Sequence, residues 1–226
     1  MGAAHRKNVI GYSQSPEGAE HEYAILRKKY NTMASRENIL AAIKNNQPAF
    51  VAAPEMPDFI QAETNIAEKF GTVLTAIGGK VYLVDTEAQI ADILQADFSD
   101  AKRVVSNLDY LSTIAETYSA DANPHSFKNV DLFIMQSQLG VAENGAIWIT
   151  DNEIKQRVLP FVTQNLAVVI HKNNIVATMH DAYNKTAGIE YGFSAFIAGP
   201  SKTADIEQSL VLGAHGARTM TVFVVG

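Results

Sequence analysis

Apolar and polar residues alternate with two periods along this chain. From residue 58 to 77 the apolar positions Phe59, Ile60, Ile66, Ala67, Phe70, Val73, Leu74 and Ile77 fall on one helical face, and Gly78-Gly79 stops the run. Shorter apolar runs follow at 80–84, 103–106, 130–138, 166–171, 193–198 and 219–225, each short enough for a strand. Helical patterns lie between several of them, at 86–96, 152–159 (ended by Pro160), 179–187 and 203–212. Apolar run, helix and apolar run in alternation predict an α/β fold with a largely parallel central sheet flanked by helices.

The stretch from Leu139 to Thr150 breaks that rhythm. Apolar residues enter, Gly140 and Gly145 bracket an acid, and Ala146-Ile147-Trp148-Ile149 leads out, so a hairpin is predicted with Glu143 in its turn. A carboxylate on so tight a turn is aimed by the backbone. It suits a nucleophile, a general base or a ligand holder, and equally a turn acid that faces water.

Before residue 33 the chain is polar and mixed in charge, with helical character at 22–30 alone. At Met33 a helix begins that runs to about Asn45, with Ser35 as its cap. Residues 1–32 are therefore expected to be an unpacked extension or an upstream mis-start, and 33–226 the folded domain. A length of 226 residues with 47% hydrophobic content is enough for one substantial core. A net charge of −6 gives no basic field for nucleic acid or anionic membrane. No apolar run approaches the ~18 residues of a membrane span, and the start lacks a signal-peptide pattern, so a cytoplasmic location is the default. The chain has no cysteine, so disulfides, cysteine nucleophiles and a self-ligated iron–sulfur cluster are excluded. No particular cofactor follows from the residues, and the histidines show no paired metal spacing.

Two further stretches carry candidate chemistry. In Ala198-Gly-Pro-Ser-Lys-Thr-Ala-Asp-Ile-Glu207 a strand ends at Gly199-Pro200 and a helix is predicted from Thr203. Ser201 or Thr203 would cap that helix, and Lys202 would add charge toward a small carboxylate or other anion at its N-terminus. Plain capping, with Asp205 and Glu207 favouring the dipole, explains the same residues. The Walker spacing fails, since Phe196 and Ser201 stand where glycines are needed. In Val211-Leu-Gly-Ala-His-Gly-Ala-Arg-Thr219, Gly213 and Gly216 bracket His215. That histidine suits proton transfer or anion binding, or a helix C-cap loop.

The order of these three motifs (Gly140 to Ile147, Ala198 to Glu207, Leu210 to Arg218) resembles the lactate-utilisation (LUD) domain family, in its protein C branch, over roughly residues 33–226. Asn144 stands where that family usually has a hydroxyl residue, and Lys202 where it often has arginine. The resemblance implies a fold like the isomerase and CoA-transferase superfamily. It also implies a part in oxidising L-lactate to pyruvate beside iron–sulfur partner proteins, which would hold the redox centres that this chain lacks. In that setting Glu143, Ser201, Thr203 and His215 are expected to line a shared pocket at strand ends, with Glu143 and His215 as catalytic groups. Gly140, Asn144, Gly145, Gly199, Lys202, Gly213 and Gly216 would shape the ligand site. Two other classes stay open. Glu143-Asn144-Gly145 is similar to the E-N-G of CoA-transferases, where the acid attacks a thioester. A non-catalytic scaffold subunit would tolerate changes at Glu143 and His215.

Overall fold

The computed structural model describes residues 32–54, 65–204 and 210–226. The chain forms two compact units, Met1–Asp58 and Phe59–Gly226. In the first, the described part is helix α1 (Thr32–Asn45) and the segment after it. Ser35 lies inside α1 rather than at its cap, because the helix already runs from Thr32. The predicted helical stretch at 22–30 and the proposed extension fall outside the described residues, apart from Thr32.

The second unit is built on a five-stranded, all-parallel sheet in the order β1-β11-β6-β3-β2. Its strands are β1 (Lys80–Val84), β2 (Val104–Ser106), β3 (Leu132–Gln136), β6 (Asn165–His171) and β11 (Thr219–Val225). Period-two alternation sends their side chains to two separate cores. Phe133, Met135, Leu166, Val168, Ile170, Met220, Val222 and Val224 face one side, with Phe70 and Leu74 of helix α2 (Ile66–Ala76). Leu132, Ile134, Ala167, Val169, Phe223 and Val225 face the other, with Ile90 and Leu94 of helix α3 (Ala88–Asp97). The amphipathic run predicted from residue 58 is thus described from residue 65 onward. Asn65 caps α2 by accepting from the Glu68 N–H, and Gly78 at φ +92 ends it.

A second, four-stranded sheet in the order β7-β4-β5-β8 packs beside α2 on the first core. It comprises β4 (Leu139–Val141), β5 (Ala146–Thr150), β7 (Ile175–Val176) and β8 (Ser194–Ala198). Ile147 and Ile149 point into the shared core. Leu139, Val141, Ala146, Trp148 and Val176 point the other way and are covered by Met179 and Ala182 of helix α6 (Met179–Thr186). The α/β expectation, with a largely parallel central sheet flanked by helices, is therefore met. Among the described residues no helix is long and apolar enough to cross a membrane.

Two predicted helices are corrected. The helix predicted over 203–212 is extended at both of its described ends. Lys202–Ala204 is strand β9 and Leu210–Leu212 is strand β10, paired antiparallel with Thr203 opposite Val211; residues 205–209 lie outside the described set. The Ser201 N–H donates to the Ala217 carbonyl and the Gly213 N–H to the Ser201 carbonyl, so non-local pairing overrides the local helical preference. The predicted helix at 152–159 is broken after its first turn. A four-residue helix α4 (Asp151–Ile154) ends at Lys155, whose φ of 51° leaves the helical region. Pro160 then sits in the first turn of a new helix, α5 (Leu159–Val162), where its missing N–H is not needed.

Candidate functional site

Helix α2 delivers the chain through Gly78-Gly79 into the N-terminal end of β1, so its C-terminus marks the N-terminal edge of the parallel sheet. All three motifs meet that helix end or each other. In the first motif, Gly145 has φ +68, and a Cβ placed on it would lie 2.9 Å from the Leu74 Cα. Glycine is required there twice over, for its backbone angle and for the close approach of turn to helix. Gly140 packs one level up: a Cβ there would stand 3.0 Å from Ile170 Cδ1 and 3.5 Å from Phe70.

In the second motif, Gly199 at φ +73 lies against Ile77, one helical turn on from Leu74. Ladder pairing joins the two motifs, because Ala146 of β5 faces Ala198 of β8. The Glu143 turn and the Gly199-Pro200 turn therefore leave the second sheet at the same end. Lys202 donates from its ammonium to the Ile77 carbonyl, where a cation complements the C-terminal dipole of α2. Its charge thus serves this helix C-terminus, and the expected helix N-terminus with Ser201 or Thr203 as cap does not exist. Thr203 is half-buried within β9.

The third motif closes on the second. Gly216 abuts Ser201, with a would-be Cβ at 3.2 Å from the Ser201 Cβ, and the Ser201–Ala217 backbone bond is 2.8 Å. Gly213, at φ +77, packs on the Arg218 side chain. His215 is exposed at the crest of this loop. It follows a strand and not a helix, so the C-cap reading of this histidine is replaced by a loop entering β11.

Glu143 is exposed, yet its carboxylate is not idle. Its Oε2 accepts from the Met179 N–H at 2.8 Å, the first amide of α6. Its own N–H donates to the Ala177 carbonyl at 3.0 Å. A carboxylate at a helix N-terminus is stabilised there by roughly 0.3–1 kcal/mol. Acceptor capacity remains, since an ionised carboxylate offers about four lone-pair sites. Asn144 closes the turn by accepting from the Ala146 N–H at 3.0 Å. The structure thus brings Gly199, Ser201, Lys202, Gly213 and Gly216 into one cluster, with Gly145 on the same helix end and Glu143 tied by its carboxylate to the first amide of α6 and by its N–H to Ala177. Among the described residues no group of three acidic or histidine side chains is arranged to hold a metal ion.

Sequence reasoning passed over the groups that fix this end: Leu74, the Ile77 carbonyl and the Met179 amide. The last had a readable signal. Thr178-x-x-Asp181 is a reciprocal cap at the start of α6, and it places the Met179 N–H beside the turn.

Residues 105–225 match the LUD domain family. The chain belongs to that family. This bears out the resemblance read from the three motifs. Among its relatives is an uncharacterized protein of Neisseria meningitidis serogroup B, 24% identical across 85% of this chain and 94% of that one. Several others bear the name Lactate utilization protein C. That of Anoxybacillus flavithermus is 26% identical over 72% of each chain, and that of Oceanobacillus iheyensis 29% identical over 43% of this chain and 45% of its own. The fold is also that of a crystal structure of a DUF162 family protein from Deinococcus radiodurans. The TM-score is 0.55 and the identity 16%, over 71% of this chain and 96% of that one.

Proposed function

We propose that this LUD domain protein serves in lactate utilisation, as a cytoplasmic component that works beside iron–sulfur proteins in oxidising L-lactate to pyruvate. The observation that carries the reading is the family match together with the relatives named Lactate utilization protein C. The composition supports the division of labour. A chain without cysteine contributes no thiolate ligands to a cluster, so electrons would travel on partner subunits. In this reading the N-terminal edge of the parallel sheet, with Glu143, Ser201, Lys202, Thr203 and His215, meets a small carboxylate or a partner.

One observation favours a second reading, in which this edge is structural. The Glu143 carboxylate and the Lys202 ammonium are both spent on helix termini, those of α6 and α2. Growth on L-lactate separates the two. In a host lacking the gene, wild type and Glu143→Gln are each reintroduced at matched protein levels. Glutamine keeps an acceptor for the Met179 N–H and removes the charge. Growth with wild type alone supports a chemical or binding role for the acid. Growth with both supports the structural role. A deletion strain that grows normally, with no second lactate dehydrogenase, rejects the lactate assignment, and CoA transfer from acetyl-CoA to lactate is then the assay to run.

A further inference from the structure

The opposite, C-terminal edge of the parallel sheet carries a cavity that none of the three motifs reaches. It has a volume of about 290 Å³ and opens where β2 and β3 end, between Asn107 and Gln136 and the start of α4. In open α/β sheets this carboxyl edge is where ligands settle. The volume falls at the small end of the range for ligand pockets.

The walls are held in place by groups already bonded. Asn107 donates to the Tyr118 carbonyl at 3.1 Å and accepts from the Tyr118 N–H at 2.9 Å. The Tyr118 hydroxyl donates to the Ile154 carbonyl at 2.6 Å, and its ring stands edge-on to Phe127 and Phe133. Glu153 is clamped by a reciprocal cap, its carboxylate accepting from the Thr150 N–H at 3.1 Å. Burial pushes this carboxyl above the usual glutamate range, while backbone bonds from Thr150 and Gln138 partly offset the rise. The clamp leaves part of its acceptor capacity open.

Two lining groups differ from these. The side-chain amides of Gln136 and Gln138 are exposed at the rim and bond to no protein group among the described residues. Among the described residues no lysine, arginine or histidine lines the cavity. One carboxylate and two unengaged amides therefore face the same space, at the carboxyl end of β3. Such a lining accepts hydrogen bonds from hydroxyl or amino groups and repels an anion.

We propose that this cavity binds a small neutral or cationic molecule bearing hydroxyl or amino donors, anchored on Glu153 and closed over by Gln136 and Gln138. The site stands apart from the edge that carries the lactate reading, and each can fail without the other.

Ligand-detected NMR on the full chain tests it with three probes: ribose, 2-aminoethanol and L-lactate. Gln136→Phe plugs the mouth from an exposed rim position, and Glu153→Gln keeps an acceptor for Thr150 while removing the charge. Near-ultraviolet circular dichroism confirms that both variants are folded. The expected result is binding of ribose or 2-aminoethanol that Gln136→Phe abolishes. Glu153→Gln is expected to weaken 2-aminoethanol about tenfold, the loss of one charge-assisted bond, and ribose only a few-fold. Three results overturn the proposal: neither donor probe binds at ~10 mM, their binding is unchanged in both variants, or L-lactate binds in a way that Gln136→Phe abolishes.

Discussion

Gly145→Ala tests the claim that the first motif is built by close approach to helix α2. Two costs are expected. A non-glycine residue in the left-handed region costs roughly 1–2 kcal/mol, and Gly145 sits at φ +68. The added methyl would also stand 2.9 Å from the Leu74 Cα and 3.0 Å from its nitrogen. Backbone atoms cannot swing aside, so turn and helix must separate, at about 1–3 kcal/mol for an overpacked contact. The smaller unfolded-state entropy of alanine offsets about 0.4–1 kcal/mol. A net loss of roughly 1–4.5 kcal/mol follows. Gly188→Ala is the matched control, because Gly188 has φ +82 and nothing within 4 Å of its would-be Cβ. It carries the backbone cost without the clash. Urea unfolding followed by the fluorescence of Trp148, the one tryptophan and a residue of β5, reports directly on this sheet. The expectation is a larger fall in midpoint for Gly145→Ala than for Gly188→Ala, with similar slopes. Equal or reversed effects would refute the claim that contact with Leu74 demands the glycine.

Three further outcomes follow from single contacts. The raised Glu153 carboxyl means that its neutral form is favoured on folding, so its contribution is fully present below the ordinary value of 4.5 and is lost as pH rises through the folded value. Glu153→Gln should therefore gain on wild type in urea midpoint as pH climbs from 4 to 7, and a variant that loses ground to wild type over that climb would contradict this. Asp97 is held below its ordinary value of 3.8 chiefly by the Lys80 ammonium, with help from the Tyr82 hydroxyl. Its contribution is present above 3.8 and is lost as pH falls through the lower folded value. Because the pair is largely solvated, Asp97→Asn should cost no more than ~1 kcal/mol at pH 7, less in high salt, as read from the same unfolding curves. Tyr118→Phe removes the 2.6 Å bond to the Ile154 carbonyl, from a hydroxyl whose pKa burial pushes up to about 12. A loss of about 1–2 kcal/mol in unfolding free energy is expected, and no measurable loss would mean that the bond does not hold the cavity wall.

The parallel sheet was legible because each of its central strands is apolar on both faces, a signal that needs no partner to be read. The hairpin was legible because Gly140 and Gly145 bound an acid between two apolar runs. The antiparallel pairing of β9 with β10 was not. Its residues suit a helix locally, and what selects the extended form is bonding to Gly213 and Ala217, which the local pattern does not contain. The break at Lys155 was hidden for a similar reason, since a positive φ at lysine has no residue signature. At the site, motif order carried the family but not the geometry. Nothing in the residues says that Lys202 reaches the Ile77 carbonyl 125 positions back. Thr150-x-x-Glu153 was readable as a cap, and it would have pointed to the cavity at the other edge.

Strand β11 lies between β1 and β6, and it is the ladder neighbour of β1 within the sheet. About 135 residues separate the end of β1 from the start of β11. On a ribosome adding ~5–20 residues per second, β1 waits roughly 7–27 s for that neighbour to be made. During synthesis the slot between β1 and β6 stands empty, with β1 and the finished β6 both exposing unpaired peptide groups toward it. Such edges recruit other chains, so the vulnerability of this protein lies in its biogenesis: crowded polysomes and slow decoding ahead of β11 favour aggregation before the native contacts exist.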